Sequence, residues 1–76
     1  MRLWINYANN HKYMIVCDEN DTIKTLKEKI EVKTNIKICD QLLTFDDKIL
    51  SNNSPIKKYG LSNECTIFLY YEKRGG

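Results

Sequence analysis

Only one stretch of this 76-residue chain carries helical periodicity, and β-prone runs flank it on both sides. Ile23, Leu26 and Ile30 fall at i, i+3 and i+7, which sets one apolar stripe on a helix. Lys24, Lys27, Glu28, Lys29, Glu31 and Lys33 cover the other faces, and solvation is the simplest use for them. A single amphipathic helix must be covered by something else, and the flanking strands supply a sheet. A chain of this length is one domain and buries only about 60 to 65% of the surface it exposes when unfolded. It leaves no room for a substrate-sized internal cavity.

The strands can be placed from their alternation. Leu3-Trp4-Ile5-Asn6-Tyr7 and Tyr13-Met14-Ile15-Val16-Cys17 enclose Asn9-Asn10, a pair that tolerates the positive φ of a tight hairpin turn. Asp18 to Asp21 form a turn, Thr22 caps the helix, and Asn35 ends it in a left-handed conformation. Gln41 to Phe45 is a strand, Asp46-Asp47 a turn and Lys48 to Leu50 a short return strand. Ile56 to Tyr59 suits one tight helical turn closed by Gly60, and Thr66 to Tyr71 is a strongly β-prone last strand. The first and last strands would pair side by side in the middle of one mixed sheet of four to five strands, with the helix packed across one face. That is an α+β architecture of β-grasp type. The expected core is Leu3, Ile5, Tyr13, Ile15, Cys17, Ile23, Leu26, Ile30, Leu43, Leu50, Ile56, Leu61, Ile67 and Leu69. Residues 1–71 form the folded body, and 72–76 a flexible tail ending Arg74-Gly75-Gly76.

Composition excludes several functions. The net charge is +2, with lysines interleaved among acids, which does not suit nucleic acid. No apolar run approaches the roughly 20 residues of a membrane span, and no signal peptide is evident at the amino terminus. Cys17, Cys39 and Cys65 form an odd, widely spaced set beside a lone His11. That is a poor disulfide framework and a poor zinc site, and it suits reduced thiols in the cytoplasm or nucleus. Cys17 alternates with core residues, His11 faces solvent on the hairpin, and no carboxylate pair or phosphate loop stands at catalytic spacing. The chain is expected to be a monomer, with no enzymatic residues and no bound cofactor.

These residues resemble ubiquitin, without a gap over all 76 positions. The shared residues are Met1, Asp21-Thr22-Ile23, Lys27, Lys29-Ile30, Lys33, Ile36, Gln41, Leu43, Phe45, Lys48, Leu50, Tyr59, Glu64, Thr66, Leu69 and Arg74-Gly75-Gly76. Asn10, Asn35, Asp47 and Asn53 occupy positions where the family commonly has glycine, and each residue type tolerates the left-handed region. Glycine is thus scarce in the body yet doubled at the end. The resemblance implies a protein modifier. An activating enzyme would adenylate the Gly76 carboxylate with ATP, an enzyme cysteine would take it as a thioester, and a target lysine amine would attack it. Gly75 and Gly76, lacking side chains, would pass through a narrow channel.

The resemblance also locates departures. Ala8, Thr44, Phe68 and Tyr70 stand at the positions of the apolar patch by which partners grip ubiquitin, with Leu42 and Trp4 as further candidate contacts. Readers built for ubiquitin should then bind poorly. Glu72 replaces an arginine that the activating enzyme reads with acidic groups, so Glu72 and Arg74 together set tail recognition, with repulsion at Glu72. Lys27, Lys29, Lys33 and Lys48 stand at ubiquitin's lysine positions and are the possible acceptors for chains, Lys48 foremost. Asn6, His11 and Asn63 replace its other lysines. Expected partners are activating and conjugating enzymes, target lysines and ubiquitin-binding proteins of altered preference. Two rival readings are a non-conjugating mimic that interferes with ubiquitin machinery and a sulfur carrier whose terminal Gly-Gly becomes a thiocarboxylate.

Overall fold

A computed structural model describes residues 1–8 and 11–71. Asn9 and Asn10, expected at the tip of the first hairpin, and the tail 72–76 lie outside the described residues. Five strands run as β1 (Arg2–Tyr7), β2 (His11–Val16), β3 (Gln41–Phe45), β4 (Lys48–Ile49) and β5 (Thr66–Tyr71), with one helix, α1 (Ile23–Thr34). They form a single sheet in the order β2-β1-β5-β3-β4. β1 and β5 are parallel neighbours at its centre, and the other pairs are antiparallel. This is the mixed β-grasp sheet that the alternation pattern predicts.

Local chemistry sets the ends of α1. The Thr22 side chain accepts a hydrogen bond from the Thr25 amide, and Asn35 sits at φ 64 with its N–H donating to the Glu31 carbonyl. Each satisfies a backbone group that the helix end would otherwise orphan. Gly60 closes the 3-10 turn Ile56–Tyr59 at φ 72, as expected. Asp46 and Asp47 both take positive φ, at 54 and 62, which makes the β3–β4 connection a two-residue turn of the type I′ class. Asn53, by contrast, is not among the positive-φ residues, so its expected left-handed conformation is corrected; Ala8 and Glu64 take that region instead. A further 3-10 turn, Ile38–Asp40, forms where only loop was expected.

The core contains every expected residue except Tyr13. Leu3, Ile5 and Ile15 project from one face of the sheet with Leu43, Ile67 and Leu69, and the α1 stripe closes over them. Tyr13 is only half-buried because its hydroxyl needs a polar partner. It accepts a hydrogen bond from the Tyr7 hydroxyl at 3.3 Å, and the two rings stack with centroids 5.5 Å apart. Tyr71 tilts against Tyr7 at 6.0 Å, which places an aromatic cluster at the end of the inner face where β5 finishes.

Candidate interaction surface and acceptor lysines

The register of β3, β4 and β5 gathers the candidate patch on the outer face of the sheet. Leu42 lies opposite Tyr70, and Thr44 opposite Phe68. Phe68 is 45% exposed and Tyr70 56%, although their neighbours Ile67 and Leu69 are buried. The two-residue turn then adds a residue that sequence reasoning passed over: Ile49 pairs with Thr44 and is 63% exposed. A signal for it existed, because a two-residue loop after Phe45 fixes Phe45 opposite Lys48 and Thr44 opposite Ile49. Four apolar side chains therefore surround Thr44 with no element packed over them among the described residues. Exposed aromatic groups in such a cluster are what protein interfaces use as anchors.

The other two candidate contacts belong to β1 and the residue that follows it. Ala8 is exposed at φ 39, two residues past Asn6, which pairs with Phe68 in the last β1–β5 pair. Trp4 shares the outer face but pairs with Thr66, further back along β5. Its indole N–H donates to the Glu64 carboxylate at 2.9 Å, and the same carboxylate lies 3.1 Å from the Arg2 guanidinium. The Arg2 amide donates to the Asn63 side chain at 2.7 Å. Trp4 thus ties the loop before β5 to β1 and is half-buried rather than freely exposed.

The four lysines separate by environment. Lys48 is exposed on β4, and Lys33 is exposed in the last turn of α1. Lys29 donates to the Val16 carbonyl at 3.0 Å and lies 3.5 Å from the Asp21 carboxylate. That carboxyl is held below its ordinary range by the Asp18 amide first, then by Lys29. Lys27 corrects the expectation of a solvated helix face, for it is only 7% exposed. Its ammonium donates to the Asn52 side chain at 2.6 Å, and burial lowers its pKa. In this fold Lys27 is withheld from a reacting partner. The Gln41 side-chain amide, also buried, donates to the Lys27 and Ile36 carbonyls and fastens α1 to the start of β3.

Nothing in the described body resembles a nucleophilic centre. Cys17 is buried, and burial pushes its thiol pKa up. Cys39 is exposed and Cys65 half-buried; both are free thiols. His11 is exposed on the hairpin. No helix among the described residues is long and apolar enough to cross a membrane. The tail residues Glu72, Arg74, Gly75 and Gly76 lie outside the described residues, and their roles stand as proposals.

Residues 5–74 match the family model described as the ubiquitin family. The chain is 39% identical over 51 residues to Ubiquitin D of Mus musculus, an alignment covering 67% of this chain and 32% of the relative. The match thus spans only about a third of the length of that protein. It is 36% identical over 56 residues to Ubiquitin-like protein NEDD8-like protein 2 of Dictyostelium discoideum, covering 74% of this chain and 70% of the relative. With Ubiquitin-like protein NEDD8 of the same organism it shares 30% identity over 59 residues, covering 78% and 77%. A model match along nearly the whole chain, on a β-grasp body, establishes that this protein belongs to the ubiquitin family.

Proposed function

We propose that this protein is a ubiquitin-like modifier whose Gly76 carboxylate is activated by an ATP-using enzyme and joined to lysine amines of target proteins. The observation that carries the reading is the placement of the last strand. β5 runs between β1 and β3 in the middle of the sheet and ends at Tyr71, directly before the sequence Glu72-Lys73-Arg74-Gly75-Gly76. The central strand thus leads directly into a sequence whose last two residues lack side chains. In the proposed sequence the carboxylate oxygen attacks the α-phosphorus of ATP and pyrophosphate leaves. An enzyme thiolate displaces AMP to give a thioester, and an uncharged lysine amine displaces the thiolate to give the isopeptide bond. This chain supplies the acyl group, and the nucleophiles belong to its partners.

Glu72 selects the activating enzyme by charge, and the patch of Leu42, Thr44, Ile49, Phe68 and Tyr70 selects the readers. Family membership supports partners of the conjugation type. Incubation with ATP, an activating enzyme and a conjugating enzyme tests the proposal. The expected product is a thioester adduct that reducing agent removes and that Gly76 deletion prevents. Glu72→Arg should charge faster with the ordinary ubiquitin-activating enzyme, and equal, fast charging of both would refute the charge filter. If no thioester forms yet ubiquitin conjugation by the same enzymes is inhibited, the protein is a mimic. A tail mass showing sulfur in place of oxygen would instead establish the sulfur carrier.

A further inference from the structure

The hairpin of β1 and β2 holds two phenols in direct contact. Its register sets Tyr7 opposite His11 and Ile5 opposite Tyr13, so Tyr7 and Tyr13 are diagonal neighbours on one face of the sheet. Their rings stack at an interplanar angle of 22° with centroids 5.5 Å apart, and the Tyr7 hydroxyl donates to the Tyr13 hydroxyl at 3.3 Å. The oxygens are closer than the ring centres, so the rings converge toward their hydroxyl ends. The ortho carbons, Cε1 and Cε2, lie between centroid and oxygen along each ring and share that convergence. In a phenoxyl radical the unpaired electron spreads from the oxygen to the ortho and para carbons. The para carbon of a tyrosine already carries the side-chain stem, so the ortho carbons are where two such radicals couple.

The other tyrosines of the chain are arranged differently. The Tyr59 hydroxyl accepts a hydrogen bond from the Ser51 amide at 2.8 Å. Tyr70 is exposed on the outer face. Tyr71 meets Tyr7 at a tilt of 57° with centroids 6.0 Å apart, which is an edge contact rather than a stack. Tyr7 and Tyr13 are both half-buried, so a small oxidant can reach them while each ring keeps its partner. Two groups held in contact react as one molecule, at an effective concentration far above that of a phenol in solution.

We propose that Tyr7 and Tyr13 are a modification site at which a small one-electron oxidant, of the peroxyl-radical class, joins the two rings by a bond between ortho carbons. Two equivalents of the oxidant each take one electron and one proton from a phenol and become hydroperoxides. The two phenoxyl radicals pair their electrons in a new Cε–Cε bond. Each coupled carbon then releases its hydrogen as a proton, and a proton returns to each oxygen, which restores both phenols. The product, dityrosine, has lost two hydrogen atoms in all. It staples β2, the outermost strand on its side of the sheet, to β1 across the connection 8–12. The site uses no residue of the β3–β5 patch and does not depend on the function proposed for the tail.

The test uses the full chain, dilute, with its accessible thiols capped by iodoacetamide so that they do not consume the oxidant. Brief illumination with ruthenium tris(bipyridyl) and persulfate supplies the one-electron oxidant, and persulfate ends as sulfate. The monomer fraction should gain the blue fluorescence of dityrosine and an intact mass lower by two hydrogens. Peptide mass spectrometry should join the segments that hold Tyr7 and Tyr13. Tyr7→Phe and Tyr13→Phe should each lower the monomer fluorescence by about tenfold or more, whereas Tyr70→Phe and Tyr71→Phe should retain it. Each change removes only a hydroxyl, and circular dichroism checks that the variants fold. The crosslinked monomer should melt about 10 °C higher than the untreated protein, because the loop from Tyr7 to Tyr13 is closed in the unfolded chain as well. Crosslinks confined to covalent dimers would overturn the proposal, as would a bond between Tyr7 and Tyr71 or fluorescence that survives Tyr13→Phe. So would oxidation that consumes tyrosine without joining this pair, and a crosslinked form that melts no higher would refute the staple.

Discussion

The two faces of the sheet are made by the same strands yet serve different ends. On the inner face, Leu43, Ile67 and Leu69 meet the α1 stripe and are buried. On the outer face, one residue away in each case, Leu42, Phe68 and Tyr70 are equally apolar and uncovered. A half-buried strand normally alternates apolar with polar residues. β5 reads Thr-Ile-Phe-Leu-Tyr-Tyr, apolar or aromatic on both sides. The fold accounts for Ile67 and Leu69 and has no need of Phe68 and Tyr70. Exposed aromatic side chains of this kind fit the reader-binding patch proposed above.

Substitution should separate the faces. Leu69→Ala empties a site closed by α1 and should cost about 2–5 kcal/mol in chemical denaturation, enough to threaten a domain of this size. Phe68→Ala removes only cross-strand contact with Thr44 and Asn6 and should cost under about 1 kcal/mol. The order should invert for binding: Phe68→Ala combined with Ile49→Ser should abolish capture of whatever protein reads this face. Comparable stability losses for Leu69→Ala and Phe68→Ala would erase the distinction.

The contrast extends to the lysines. Lys48 on β4 should be acylated readily by a small amine-reactive ester, and Lys27 only after unfolding, as followed by peptide mass spectrometry. Asn52→Ala removes the acceptor of the Lys27 ammonium and should destabilise by about 1–3 kcal/mol, because the buried charge loses its partner. Fast labelling of Lys27 in the folded protein would contradict its burial.

Between β3 and β4, Asp46 and Asp47 hold positive φ without being glycine. Asp47→Gly should stabilise the protein by about 1 kcal/mol while leaving Ile49 beside Thr44. Loss of stability would mean that the Asp47 side chain contributes more than its backbone strain costs.

The sequence made the sheet order, the helix ends and the inner face legible, because each rests on a local rule. Thr22 and Asn35 have the side chains that cap helices, and the alternation in β1 and β5 names the buried residues. What it concealed were residues whose chemistry and position disagree. Ile23, Leu26, Lys27 and Ile30 complete the i, i+3, i+4, i+7 template of a buried stripe, so position alone places Lys27 inside, whereas its charge argued for solvent. Tyr13 stands in register with Ile5, but its hydroxyl holds it at the rim. The patch was legible from the resemblance only in part. Trp4 has an aromatic ring on the outer face, yet its bond to Glu64 depends on a loop 60 residues away in sequence. The tail residues were read from sequence and resemblance, since local structural rules say nothing about them.

The tyrosines at the end of the inner face offer the finest test of the comparison, because they lie where inside gives way to outside. Tyr7 is pushed up to about 12, first by the hydrogen bond it donates to Tyr13 and then by burial. Donation needs the proton, so the bond favours the neutral phenol. A folded pKa above the unfolded value of about 10 means that the unfolded chain loses its proton first as pH rises. The stabilisation from Tyr7 is therefore complete below about pH 10 and disappears as pH climbs through about 12. Tyr13→Phe removes the acceptor and should bring the Tyr7 midpoint down toward 10 in a phenolate absorbance titration. It should also flatten the alkaline fall in stability. If Tyr13→Phe leaves the Tyr7 midpoint where it was, the hydroxyl pair does not hold the rim closed, and burial alone must account for it.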